Sequence, residues 1–175
     1  MVQVAKILSN QKGGSASLSF IAVLDLAFLG APILTTVRER EIRGDAMSVR
    51  ILVVDDNAAL RGHLRLLLES HADWEICGEA ADGFEAIEKY RRLRPDLLLV
   101  DVSMPRMNGL DASLEILKLS PEIPILLYTS YLTAQLIESA HKAGIRGTVS
   151  KDATHLLVVG VETLLRGEEF SSPPN

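Results

Sequence analysis

Three aspartates stand where a carboxylate can do chemistry. Asp55 and Asp56 follow the apolar run Ile51-Leu52-Val53-Val54, and Asp101 follows Leu97-Leu98-Leu99-Val100. A short apolar run ended by an acid reads as a buried strand with a polar group at its carboxyl end. In open α/β sheets ligands bind outside those ends, where the strand order reverses. If the two strands are neighbours, the three carboxylates converge, and such anions raise one another's pKa unless a cation sits among them. All-oxygen ligation with few protein ligands suits Mg²⁺, which keeps several waters and is completed by a phosphate oxygen; zinc would want nitrogen or sulfur. Thr129-Ser130 closes a further apolar run and Lys151 follows another, so the rim adds hydroxyl donors and a point charge able to neutralise phosphate oxygens. A carboxylate can itself attack phosphorus and form an aspartyl phosphate. Catalysis of that kind is mostly positioning and charge neutralisation.

The elements that must position these groups repeat with a strand-helix rhythm from Val49 onward. Strands are expected at Arg50 to Val54, Trp74 to Ala80, Leu97 to Val100, Ile123 to Tyr128 and Gly147 to Val149. Between them, stripes at helical spacing mark buried faces: Leu60, Leu64, Leu67 and Leu68; Ala86, Tyr90 and Leu93; Leu110, Leu114 and Leu117; Leu136, Ala140 and Ala143; and Leu157, Val161, Leu164 and Leu165. Asp82-Gly83 and Asn108-Gly109 sit before helices and Arg94-Pro95-Asp96 ends one. The expected fold is α/β: a doubly wound, five-stranded parallel sheet with helices on both faces, over residues 48–167. Residues 168–175, Glu-Glu-Phe-Ser-Ser-Pro-Pro-Asn, read as a linker-like tail with no output domain.

Composition narrows the functional classes. A length of 175 residues gives one domain and an appendage, and 47% hydrophobic with 23% charged residues excludes a disordered or disulfide-scaffold chain. The net charge of −5 carries no electrostatic footprint for nucleic acid or for a membrane surface. Cys77, the one cysteine, allows neither an intramolecular disulfide nor a cysteine-based zinc site, which fits a reducing, cytoplasmic compartment; the four histidines lack metal-ligand spacing. Residues 1–47 stand apart as an extension of uncertain origin. Leu18 to Val37 is apolar enough to invite an anchor or signal-peptide reading, but Asp25 in its middle would cost about 2.5–3.5 kcal/mol in a span. Asn10-Gln11-Lys12-Gly13-Gly14 resembles the opening of a partition-type ATPase phosphate loop, yet Ala16, Ser17 and Leu18 stand where that loop needs its glycine, lysine and threonine. Met47-Ser48-Val49-Arg50 looks like a natural start.

Four segments together carry a specific resemblance: Leu52-Val53-Val54-Asp55-Asp56-Asn57, then Asp96 through Asp101-Val102-Ser103-Met104-Pro105 to Asn108-Gly109, then Tyr128-Thr129-Ser130, then Gly147 to Asp152. In order and spacing they resemble the receiver domain of bacterial two-component response regulators, over roughly residues 50–167. The resemblance implies a flavodoxin-like sheet of order 2-1-3-4-5. It implies Asp101 as phosphoacceptor and Mg²⁺ held by Asp55, Asp56, Asp101 and the backbone carbonyl of Ser103, with Asp56 a direct ligand. Thr129 would bind a phosphoryl oxygen and Lys151 would pair with the phosphate. The implied partners are a sensor histidine kinase and a downstream protein meeting the fourth helix, fifth strand and fifth helix; direct nucleic-acid or membrane contact is not expected, and homodimerisation stays open. Lys151-Asp152 and Gly78-Glu79-Ala80 look closest to receivers that normally precede a helix-turn-helix domain.

One position departs from the family. Thr148 stands where an aromatic switch residue is usual, three residues before the lysine. It leaves room for a receiver-like interaction module that ignores phosphorylation; a truncated regulator acting through a DNA-binding partner is a separate alternative. Blander roles also exist for single residues: Asp56 or Asn57 as a helix cap, Ser130 as another, Asp101 as a strand-end turn residue.

Overall fold

The computed structural model describes residues 48–175; the expectations for residues 1–47, the apolar stretch and the Asn10–Gly14 loop among them, lie outside the described residues. Five strands rich in Val, Ile and Leu alternate with five α-helices: β1 Val49–Val54, α1 Ala58–Leu68, β2 Trp74–Ala80, α2 Gly83–Leu93, β3 Leu97–Val100, α3 Gly109–Leu119, β4 Ile125–Thr129, α4 Ala134–Lys142, β5 Gly147–Ser150 and α5 Leu157–Leu165, the last entered through a 3₁₀ turn at Lys151–Leu156. A sixth strand, β6 Phe170–Ser171, follows. All pair in parallel in the order β2-β1-β3-β4-β5-β6. This is the flavodoxin-like sheet expected from the sequence, extended by one strand.

The apolar runs are continuous rather than alternating because helices cover both faces of the sheet. Ile51, Val53, Leu97, Leu99, Leu126, Tyr128 and Val149 face the side closed by α1 and α5, while Leu52, Val54, Leu98, Val100, Ile125 and Leu127 face α2, α3 and α4. Each fully buried leucine contributes roughly 2 kcal/mol of apolar transfer energy. The helix ends follow from local chemistry. Asn57, Asp82, Asn108 and Thr133 cap α1 to α4 through side-chain oxygens that accept backbone N–H bonds. Gly144 (φ 91°) and Gly167 (φ 82°) end α4 and α5 in left-handed backbone. At Gly167 the amide donates to Leu164 O at 2.9 Å and the next amide, Glu168 N, to Thr163 O at 3.2 Å, the paired bonds that turn a chain off a helix.

Two expectations are corrected. The third helix does not bury Leu110, Leu114 and Leu117 as a stripe: Ala112, Ser113, Ile116 and Leu117 are buried, and Leu110 and Leu114 only partly. The reason is that α3 packs on α2 as well as on the sheet. Close approach there demands small residues; a Cβ built on Gly83 of α2 would lie 2.9 Å from the Ala112 Cβ. The other correction is the stretch 168–175, which is not a bare linker. Phe170 N donates to Arg146 O and Ser172 N to Thr148 O, both at 2.9 Å, so the segment joins the sheet edge beside β5. Among the described residues no helix is long and apolar enough to cross a membrane.

Candidate functional site

The carboxyl ends of β1 and β3 lie side by side because Val54 pairs with Val100 across the switch point, where strand order runs outward from β1 in both directions. Asp101 N donates to Val54 O at 2.8 Å and Asp55 N to Ala80 O at 3.0 Å, which extends the ladder into the acidic residues. Carboxylate oxygens of Asp55, Asp56 and Asp101 all lie within 4.8 Å of one another. Asp55 and Asp101 are buried and Asp56 is exposed.

Lys151, just past β5, reaches back over the sheet. Its Nζ donates to Asp55 Oδ2 at 2.8 Å and stands 3.0 Å from Asp101 Oδ2. Burial pushes the ammonium pKa down, but the hydrogen bonds to Asp55 and Asp101 outweigh it and hold Lys151 above its ordinary value. Burial also raises the Asp101 pKa; Lys151 opposes this and the Asp55 charge adds to it. One lysine therefore answers two buried acids, with Asp56 beside them, and the cluster has more negative than positive charge. Asp101 Oδ1 is buried with no hydrogen-bond partner among the described residues. A buried orphan acceptor inside an all-oxygen acidic cluster fits a hard divalent cation, which would supply the missing contact.

Thr129 ends β4, buried, in register with Ser150 of β5; its Oγ1 accepts a long bond from Tyr131 N at 3.4 Å. Thr129 thus stands at the carboxyl end of β4, and among the described residues its hydroxyl makes no bond to the acids. Ser103 is exposed in the loop two residues after Asp101, and Ser130 is exposed beyond Thr129. Thr133, not Ser130, caps α4, and Asn57, not Asp56, caps α1. The loop after Asp101 is closed by Gly109, whose amide donates to Val102 O at 3.0 Å; a Cβ there would run into the Asp101 carbonyl oxygen.

Some supporting residues carry no signal of their own in the sequence. Arg61 of α1 donates to the Asp55 carbonyl at 2.7 Å and to Glu79 at 3.0 Å, and Asn57 N donates to Asp55 Oδ1 at 2.8 Å. Tyr128 lies under Lys151, 5.7 Å from Nζ to the ring centroid, and its hydroxyl bonds Thr154 Oγ1 at 2.6 Å. Arg61 sits one turn after the Asn57 cap, a position that could have been singled out only by knowing that α1 leans on β2.

A doubly wound parallel sheet with paired acids, a third acid, a hydroxyl and a lysine at its carboxyl edge defines a class of signalling domain. Residues 51–159 match the family model described as "Response regulator receiver domain", and the chain belongs to that family. The chemotaxis protein CheY of Thermotoga maritima is 39% identical over 105 residues, covering 60% of this chain and 87% of CheY. A protein-glutamate methylesterase/protein-glutamine glutaminase of Pyrococcus abyssi is 46% identical over 95 residues, but these are 54% of this chain and only 25% of that protein. The chain therefore spans about a quarter of the length of such methylesterase relatives, and their esterase chemistry is not carried across. Among solved structures, the LuxR-family response regulator from Aurantimonas sp. SI85-9A1 matches with a TM-score of 0.69 at 31% identity, covering 72% of this chain and 91% of the other.

Proposed function

We propose that the chain is a phosphorylated switch of a two-component system: Asp101 accepts a phosphoryl group from a histidine of a sensor kinase, and the altered protein surface signals to another protein. The observation that carries this reading is the buried Oδ1 of Asp101, without a geometrically sound hydrogen bond among the described residues, beside a lysine that already engages Oδ2. In the transfer, a carboxylate oxygen of Asp101 bonds to phosphorus while the P–N bond of the phosphohistidine breaks; its electron pair returns to nitrogen, and the protonated ring leaves as neutral imidazole. Lys151 neutralises phosphoryl oxygens, and Thr129 binds one of them through its hydroxyl. Asp55, Asp56, Asp101 and the Ser103 carbonyl would hold Mg²⁺, which supplies the remaining positive charge on the phosphoryl oxygens. The chain transforms nothing but its own Asp101, and this reading has it work in the cytoplasm through protein contacts on α4, β5 and α5.

Intact mass after incubation with acetyl phosphate tests the reading. One added phosphoryl group that needs both Mg²⁺ and Asp101, and is absent in Asp101→Asn, is expected. No adduct on folded protein with the metal present would shift the function to an interaction module that works without phosphorylation.

A further inference from the structure

Residues 168–175 make more contacts than a two-residue strand needs, and the contacts fall on particular places. Ser150 N, just before Lys151, donates to Ser172 Oγ at 3.0 Å, and Ser172 is 2% exposed. Asn175 Nδ2 donates to Asp152 Oδ2, just after Lys151, at 3.1 Å. The same amide donates to Ser130 O, just after Thr129, at 2.8 Å, and Asn175 N donates to Leu132 O at 2.9 Å. The segment thus holds the residues flanking both Lys151 and Thr129. Further back, Thr148 Oγ1 donates to Ser171 Oγ at 3.0 Å, Glu169 pairs with His141 of α4 at 2.9 Å, and the Phe170 ring packs on Gly160 of α5. It crosses the β5 edge and forms one wall of a cleft whose other walls include Ile137 of α4, Ile145 and Thr148.

We infer that residues 168–175 are a phosphorylation-gated strap: they close the β5 edge and the adjoining cleft of α4 while Asp101 is unmodified, and leave both when it is phosphorylated. The inference rests on the phosphoacceptor reading above. The physical coupling is short. A phosphoryl group adds about two negative charges and three strong acceptor oxygens. Lys151 and the Thr129 hydroxyl, the cation and donor at the rim, must turn toward it, and the backbone on either side of them is what the strap is bonded to. β6 pairs with β5 at two positions, Gly147 with Phe170 and Thr148 with Ser171, so the strap is the shortest-paired edge of the sheet and opens without unfolding the rest. Its release would bare a row of β5 backbone groups and the Thr148 side of the cleft, the surface onto which an extended segment of a partner can add as a strand.

Hydrogen–deuterium exchange of the full chain, before and after acetyl phosphate with Mg²⁺, tests this, with intact mass measured on the same samples. Peptides covering 168–175 should exchange about tenfold faster in the phosphorylated protein, while β1 and β3 stay unchanged. Because coupling is reciprocal, Asn175→Ala, and Ser172→Ala with it, should free the segment before phosphorylation and raise the fraction phosphorylated at limiting acetyl phosphate about fivefold. A phosphoryl group present with exchange of 168–175 unaltered overturns the strap and leaves the phosphoacceptor reading intact. No phosphoryl group on the folded chain overturns that reading, and the strap's trigger with it.

Discussion

Lys151 and Asp55 stand 96 residues apart in the chain and 2.8 Å apart at the rim of the sheet. Their contact locks β5 to β1 across two intervening strands, and it brings Lys151 to a place where, among the described residues, acids outnumber it. Removing the cation should leave buried carboxylates uncompensated. Lys151→Met is expected to lower stability by about 3 kcal/mol in chelator, the low end for breaking a buried pair. Added Mg²⁺ should recover part of the loss. Urea unfolding with EDTA and with Mg²⁺ reads both effects, and equal midpoints for variant and native protein in EDTA would sink the idea.

Asp101 gives the opposite sign. Its folded pKa is raised, so ionising it works against the native state: the stability tied to the protonated form is complete below the unfolded value of about 3.9 and is lost as pH rises through the folded one. Asp101→Asn has nothing to ionise. In metal-free buffer it should therefore be more stable than the native chain at pH 7 by about 1 kcal/mol, and the gap should shrink as pH falls toward 4. Urea midpoints across that pH range measure it; a variant less stable at pH 7 would contradict the argument.

Gly109 lies against the Asp101 carbonyl with no room for a side chain. Gly109→Ala must push the 102–108 loop or the end of β3 aside, at about 1–3 kcal/mol. The same displacement should slow phosphorylation by acetyl phosphate, because Ser103 and Asp101 sit on the segment that moves. Thermal unfolding and intact-mass time courses would show the two losses together, and a stable variant phosphorylated at the native rate would refute the packing account.

Glu79 sits between two arginines of α1, with Arg61 Nε at 3.0 Å and Arg65 Nη2 at 2.7 Å, and these bonds hold its carboxyl below the usual range. A depressed folded pKa stabilises above the unfolded value of about 4.3 and is lost as pH falls through the folded one. Glu79→Gln should cost about 1 kcal/mol at pH 7 and nothing in strong acid, and 1 M salt should shrink the effect. Since Arg61 also holds the Asp55 carbonyl, the variant should bind Mg²⁺ more weakly as well, which calorimetric titration can follow.

The apolar strands, the caps at Asp82 and Asn108 and the acids after β1 and β3 were legible in the sequence because each has a local mark: a continuous apolar run, an Asx-Gly pair, an acid at a strand end. The strand order came from the family resemblance, and the α4 cap is Thr133 where Ser130 was the expected candidate. The α3 face was not legible, since Leu114 and Ile116 offer two equally apolar stripes and the choice depends on how near α2 comes at Gly83. Arg61 was missed for a similar reason; its partners Asp55 and Glu79 become neighbours only once β2 has paired beside β1. The role of residues 168–175 was hidden deepest. Glu-Glu-Phe-Ser-Ser-Pro-Pro has the polarity of a linker, and two paired residues are too few to show a strand period.

Pro173 and Pro174 follow β6 after a single residue, Ser172. Proline has no N–H to give, so the outermost strand is two residues long and succeeded by two positions that cannot join a ladder. A parallel sheet that ended at β5 would present four residues of bare backbone to any other chain in the crowded cell. While β6 is paired and the prolines follow it, that edge of the sheet offers little free backbone for another chain to extend.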